Sequence, residues 1–350
     1  MTVDKIDEVL ARFGVCKEFG FLTRCDLTSL PEFYRPWIDT CDNMIHLIKE
    51  NRVRDAVHSL PELTIDNLIT YEDWRTAHLL LVTITSGYIW SGDPLEAPLI
   101  LPRNLGTPLV AVSERLGLRP VICHASACLA NWNLIDPSLP FSLDNLQLNA
   151  FKFLDSKANH WFFTVTAQRW CNYQPSIFTL ILSHSNARMT FSRMAVNNFG
   201  EIVSPCLTLL LTSMLMRSFL VQQSRELILG MEEKGPLKYG GGSAAQSSAI
   251  QLIDAFLRVE HSGDERRFLM EQREHMPREH RELIYWVEAQ SPIHNSIEGR
   301  QRALDALVAF RSTHLNLVSQ FILTQIERHS QTTGTGGSSF IKFLKNVRAD

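Results

Sequence analysis

The 350-residue sequence predicts an all-α fold. Three observations carry that expectation. The stretch "QRALDALVAFRSTHLNLVSQFILTQIER" at 301–328 holds neither Pro nor Gly, and its apolar residues recur at three- and four-residue steps, which predicts a buried amphipathic helix of about seven turns. β-branched residues are plentiful, yet no stretch sustains the period-two alternation of a half-buried strand. Helix breakers bracket the periodic stretches: Pro61 precedes one of them, and Gly92, Asp93 and Pro94 follow it.

Taken in order, residues 1–30 hold a short amphipathic segment and the turn-like "GFLTRCDLTSLP". Between 31 and 60, Trp37, Ile38, Met44, Ile45, Leu47 and Ile48 fall near helical spacing, and "TIDNLITYEDWRTAHLLLVTITSGYIWSG" reads as the next helix. His46, His58 and His78 lie in these stretches and read as structural or surface residues, because none has a metal-ligand partner at a matching spacing. Pro98, Pro102, Pro108 and Pro120 break up 95–120, leaving "AVSERLGL" as a short helix. "VICHASACLANWNLIDP" at 121–137 reads as an apolar helix ended by Asp136 and Pro137, and "SLPFSLDNLQLNAFKFLDSKANHW" as a connector between domains. Two long apolar helices follow, within "WFFTVTAQRWCNYQPSIFTLILSHSNAR" and "PCLTLLLTSMLMRSFLVQQSRELILG". "GPLKYGGGSAAQSSAIQLIDAFL" then opens a helix from a glycine-rich turn, with Ser243, Ser247 or Ser248 in position to cap it. That turn has neither the GxGxxG nor the GxxxxGK[ST] pattern of a phosphate loop. "GTGGSS" at 334–339 fails the same tests and reads as a mobile lid with glycine hinges.

Composition bounds the function classes. An apolar content of 45% with 20% charged residues is that of a soluble globular chain, and a net charge of -3 gives no reason to expect nucleic acid or an anionic membrane as partner. The seven cysteines are scattered, odd in number and without a CxxC pair, so neither a disulfide framework nor a zinc site is expected. The N-terminus lacks an apolar core for secretion, and "CLTLLLTSMLMRSFL" at 206–220, interrupted by Arg217, is shorter than the roughly 20 residues a membrane span needs. A cytoplasmic protein with no membrane partner is the expectation.

Chemistry enters at His314. It sits in the apolar stripe of 301–328, four residues after Phe310 and three before Leu317, and a buried imidazole costs free energy unless its nitrogens find partners, a metal among them. Arg311 lies one turn earlier on the same side, where a guanidinium can hold a carboxylate while the imidazole holds iron. Haem offers an iron and two propionates, which suits that pair. "LPRN" at 101–104, "ACLANW" at 127–132, "GGGSAAQSS" at 240–248, "MPREHR" at 276–281, "FRSTHL" at 310–315 and "GTGGSSFIKFLK" at 334–345 occur in an order and at spacings that resemble the indoleamine 2,3-dioxygenase family, from "GFL" at 20–22 to "FLK" at 343–345.

The resemblance implies two helical domains enclosing haem b, a small one at 1–145 and a large haem-binding one at 146–350. It makes His314 the proximal iron ligand and Arg311 the residue that meets a propionate, with Asp254 orienting either Arg311 or the imidazole. It brings Gly242, Ser243 and Ala244 close over the haem plane, puts Phe162 and Thr166 at the oxygen site, and gives Thr335 the amino-acid end of the substrate. Arg217 corresponds to the arginine that clamps the substrate carboxylate. The sequence departs from the family in three places. Thr212 and Ser213 stand where paired phenylalanines are usual, the polar segment before "GTGG" is short, and His124 replaces an aromatic residue. His124 is either a hydrogen-bond donor to oxygen or to the indole N–H, or a packing residue.

The implied reaction is insertion of both atoms of dioxygen across the C2=C3 bond of an indole, which for L-tryptophan gives N-formylkynurenine, with an unidentified reductant supplying electrons. The cofactor carries that chemistry, so no Ser-His-Asp or paired-carboxylate constellation is required. Two other readings stand beside it. One is a haem oxygenase acting on a different indole or tryptophan-derived metabolite; the other is a haem-binding protein with little turnover.

Overall fold

The computed structural model describes residues 8–15, 18–91, 100–152, 157, 159–160, 163–164, 167–168, 226–227, 237–239, 242–289, 301, 303–305, 307–309 and 311–312. Its helices in chain order are α1 (Arg35–Asp42), α2 (Met44–Lys49), α3 (Val53–His58), α4 (Tyr71–Trp90), α5 (Arg103–Leu116), α6 (Ser248–Leu257), α7 (Gly263–Arg273) and α8 (Arg278–Ala289). Residues 301–312 are helical wherever they are described. The strands are two minimal antiparallel pairs, β1 (Asn133–Leu134) with β2 (Leu146–Gln147) and β3 (Glu226–Leu227) with β4 (Leu237–Lys238). The expected all-α class holds.

α4 is the axis of the N-terminal part. Thr70 starts it with a reciprocal cap: its hydroxyl accepts the Asp73 N–H at 3.0 Å, and the Asp73 carboxylate accepts the Thr70 N–H at 2.8 Å. Nearly every residue from Asp73 to Ile89 is buried, so this helix has no solvent face and is packed by α1, α3 and α5. Gly87 lets α2 approach, since a Cβ there would lie 2.6 Å from Met44 Sδ. His78 is completely buried within α4, whereas His46 and His58 are exposed, as structural and surface roles require.

Two expectations need correction. The helix expected only at "AVSERLGL" begins eight residues earlier, at Arg103, with Pro108 inside it. Pro108 is the sixth residue and gives up the bond an N–H there would make to the Asn104 carbonyl, but Leu105, Leu109 and Val112 are fully buried on the same helix, and that packing carries it through. The apolar helix expected over 121–137 is instead one π-helical turn, Ala125–Leu129, running on into β1. Its polar anchors, described below, hold a wider turn than apolar periodicity alone would make.

α6 is capped by Ser247, one of the three serines in position for it, whose hydroxyl accepts the Ile250 N–H at 3.4 Å. It ends at Arg258 in a left-handed conformation with φ 56° and packs along α8. The apolar core runs continuously from Leu10 to Leu307, around Trp37, Trp132, Phe21, Phe151 and Phe163. No helix among the described residues is long and apolar enough to cross a membrane. The four described cysteines, Cys25, Cys41, Cys123 and Cys128, are buried free thiols, and burial pushes the Cys25 thiol up to about 11 and Cys128 up to about 12.

Candidate functional site

Among the described residues, three buried polar clusters carry the residues singled out in the sequence. The first is the π-helical turn. Arg75 on α4 donates from Nη2 to the Ala125 carbonyl at 2.8 Å, and His78 Nδ1 meets Ser126 Oγ at 2.7 Å. The His124 N–H, one residue before the turn, donates to Gln246 Oε1 at 3.1 Å. Three consecutive residues are thus each tied to a different buried side chain. π-helical turns recur at functional sites because they shift side chains out of the α register.

His124 itself is half-buried, and its ring Nδ1 is buried without a partner among the described residues. Burial pushes its pKa down to about 4, so the ring is neutral at physiological pH. His78 is pushed down to about 3, first by burial and then by the charge on Arg75, and His280 is held well below its ordinary value by burial, by Arg75 and by His124. Among the described residues no carboxylate pairs with Arg75, whose other contact is the Tyr71 hydroxyl at 3.3 Å.

The second cluster is the glycine-rich turn. Gly242 and Ser243 are half-buried, and a 3-10 turn, Ala244–Gln246, follows them. The Gln251 amide donates to the Ala245 carbonyl at 2.9 Å, and Gln246 Nε2 donates to Gln272 Oε1 at 3.1 Å. These ties fasten the turn to α6 and α7.

The third cluster joins α6 to the 301–312 segment. Arg311 Nη2 donates to both oxygens of Asp254, at 2.7 and 2.8 Å, and His261 Nε2 lies 3.3 Å from Asp254 Oδ2. The Arg311, Asp254 and His261 side chains are each only 9% exposed, so this is a desolvated charge pair with an imidazole at its back. A cavity of about 320 Å³ reaches Asp254 between α6, α7 and α8. Its other charged side chains include Arg273 and Glu288, which pair with each other.

Of the residues singled out in the sequence, His124, Gly242, Ser243, Ala244, Asp254 and Arg311 fall within these clusters. His314, Phe162, Thr166, Arg217 and Thr335 lie outside the described residues. Sequence reasoning missed Gln246, Arg75, Ser126 and His261. Gln246 had a signal, being inside "GGGSAAQSS"; Arg75, a lone cation in an apolar helix, had a weaker one.

Among the described residues no group of acidic, His and Cys side chains could hold a bare metal ion. Their chemistry suits a porphyrin: the Arg311 guanidinium, buried and held by Asp254, stands three residues before His314, and among the described residues the neutral His124 imidazole has a buried nitrogen with no protein partner. The all-α fold and these clusters suit a haem protein. The sequence matches the profile of the family described as Indoleamine 2,3-dioxygenase over residues 9–218 and 216–350. It is 28% identical to mouse indoleamine 2,3-dioxygenase 2, over 97% of this chain and 93% of the relative, and 27% identical to rat indoleamine 2,3-dioxygenase 1, over 97% and 94%. It is also 29% identical to a myoglobin of Haliotis madaka over 98% of each chain. The chain belongs to the indoleamine 2,3-dioxygenase family and is a haem-dependent dioxygenase acting on indoles.

Proposed function

We propose that the substrate is L-tryptophan and the product N-formylkynurenine, with both atoms of dioxygen added across the indole C2=C3 bond. His124 carries this reading: its ring Nδ1 is buried with no partner among the described residues, and such an atom is uncommon in a folded protein and points to a ligand that completes it. In the tautomer that leaves Nδ1 unprotonated, the indole N–H is that partner. Because burial keeps the imidazole neutral, it orients the ring without taking a proton from it.

The remaining roles follow the family pattern. His314 would hold the haem iron, and Arg311 would meet a propionate while Asp254 fixes the direction of its guanidinium. Gly242 and Ser243 let backbone come close to the macrocycle; Phe162, Thr166 and Ala244 line the face where the indole lies. Arg217 takes the substrate carboxylate and Thr335 the amino-acid end. Haem, when bound, supplies the redox chemistry that activates dioxygen, with electrons from an external reductant. The chain's contribution is to hold the indole in one orientation in a pocket that excludes water.

The test is to load the protein with haem, reduce it, mix it with oxygen and a panel of indoles, and identify products by mass. Tryptophan is expected to give N-formylkynurenine, and His124→Phe to lower kcat/KM about tenfold, the equivalent of one hydrogen bond. Tryptophan methylated at the ring nitrogen should show no such penalty. A His124→Phe enzyme as active as wild type rejects the contact, and absence of N-formylkynurenine rejects the substrate. His314→Ala should lose its haem, and an unchanged haem spectrum in that variant would move the ligand elsewhere.

A second reading has its own observation. The Haliotis relative at comparable identity is named a myoglobin, which favours oxygen binding with little turnover. Stable oxygen binding without consumption of any indole would decide for it. Thr212 and Ser213, where the family has paired phenylalanines, favour instead a different indole, which the same panel would reveal.

A further inference from the structure

We propose that Gln246 is a positioning residue: its side-chain amide sets the place of His124 relative to the glycine-rich turn, and through it the affinity for the indole. The inference rests on the reading of His124 as the indole contact.

The argument starts from where hydrogen bonds come from. An N–H at the start of a helical turn has no partner within the turn, and must find one elsewhere or remain unsatisfied. The His124 N–H finds Gln246 Oε1, 122 residues further along the chain. Gln246 is completely buried, and its two ends are distinguished by their partners: Nε2 donates to Gln272 Oε1, so Oε1 faces His124. The amide therefore cannot turn over without breaking both contacts. Gln272 is itself buried and sits near the end of α7, which packs against the 3-10 turn.

The same amide belongs to the 3-10 turn Ala244–Gln246, three residues after Ser243, which is one of the residues the family pattern brings to the haem. One end of this brace thus fixes the backbone carrying the imidazole, and the other is continuous with the backbone carrying Ser243 and Ala244. Arg75 and His78 hold the next two residues of the π-helical turn from the α4 side. With those two anchors in place, the Gln246 contact fixes the tilt of the turn toward the glycine-rich segment. An apolar side chain of similar length would fill the space and leave the His124 N–H and Gln272 Oε1 buried without partners.

The experiment combines a double-mutant cycle with amide hydrogen exchange on the full-length protein. Gln246→Met should raise the KM for tryptophan about fivefold with a smaller change in kcat, and in a His124→Phe background that effect should largely vanish, since the residue being positioned is gone. Gln246→Glu keeps an acceptor for the His124 N–H but sets its second oxygen against Gln272 Oε1, so it should restore only part of the affinity and accelerate His124 exchange less than Gln246→Met does. Independently of turnover, exchange at the His124 amide should accelerate at least about tenfold in Gln246→Met. Equal losses of kcat/KM in both backgrounds, or unchanged exchange at His124, would overturn the proposal and leave Gln246 a packing residue. If Gln246→Met does not fold, Gln272→Met removes the other end of the brace and should shift KM and exchange in the same direction by less; no shift in either overturns it. Wild-type protein that turns over no indole would sink the functional reading instead, and the proposal of an affinity role with it. The exchange measurement would still report whether the brace exists.

Discussion

Asp254 brings a negative charge into a buried site and meets the positive charge of Arg311 through two short contacts on one nitrogen. Such a pair gains little net stability, because both ions had to be desolvated, but removing one partner strands the other. Asp254→Ala is therefore expected to destabilise the protein by about 3–5 kcal/mol, whereas Asp254→Asn, which keeps an acceptor of the same shape, should cost less. Urea denaturation of the two variants checks this; a loss below about 1 kcal/mol in the alanine variant would mean that Arg311 finds water or another anion. The His261 imidazole 3.3 Å behind the carboxylate shows why the pair was only half visible in the sequence. Asp254 and Arg311 stand at positions the family motifs mark, but His261 is in no motif, and its approach depends on how the chain turns after Arg258.

At the scale of elements, α4 shows local chemistry and packing acting together. The Thr70–Asp73 reciprocal cap satisfies N–H groups that the helix start leaves orphaned, so Thr70→Ala should lower stability by about 1 kcal/mol with helix content unchanged. A thermal or denaturant midpoint that does not move would show that tertiary packing alone holds the N-terminus of α4. The sequence reading opened this helix within "TIDNLITYEDW" after Pro61, but it starts only at Tyr71, where "TYEDW" supplies the cap. α5 and the π-helical turn were not readable in the same way. Pro108 looked like a break because the core packing that carries the helix through it is tertiary, and the π-helical turn is held by Arg75, His78 and Gln246, which periodicity cannot register.

For the molecule as a whole, three buried histidines make stability depend on pH. His78, His124 and His280 all have folded-state values below the ordinary imidazole value, so in acid the unfolded chain binds protons that the folded chain refuses. Stability is then complete above about pH 6.5, the unfolded imidazole value, and falls as pH drops toward the folded values of about 4 for His124 and about 3 for His78. Each such group contributes a slope of roughly 1.4 kcal/mol per pH unit inside that window. The denaturant midpoint should accordingly drop between pH 6.5 and 4.5, and His78→Asn should show a shallower drop than wild type. Equal slopes in the two proteins would mean that His78 is protonated in the folded state.

By itself the sequence determined the helical class, through apolar spacing and the position of breakers, and it determined the family, through six short motifs kept in order. Both are properties of residues near one another in the chain, or of residue identity alone. Only the tertiary structure decided that the segment around His124 is a π-helical turn, that Gln246 reaches across from the glycine-rich segment to hold it, and that the ring Nδ1 there is buried with no partner among the described residues. Those facts depend on which buried donor meets which buried acceptor across 122 residues of chain. Hydrogen bonds of that range leave no periodic trace, because their partners are chosen by how whole elements pack.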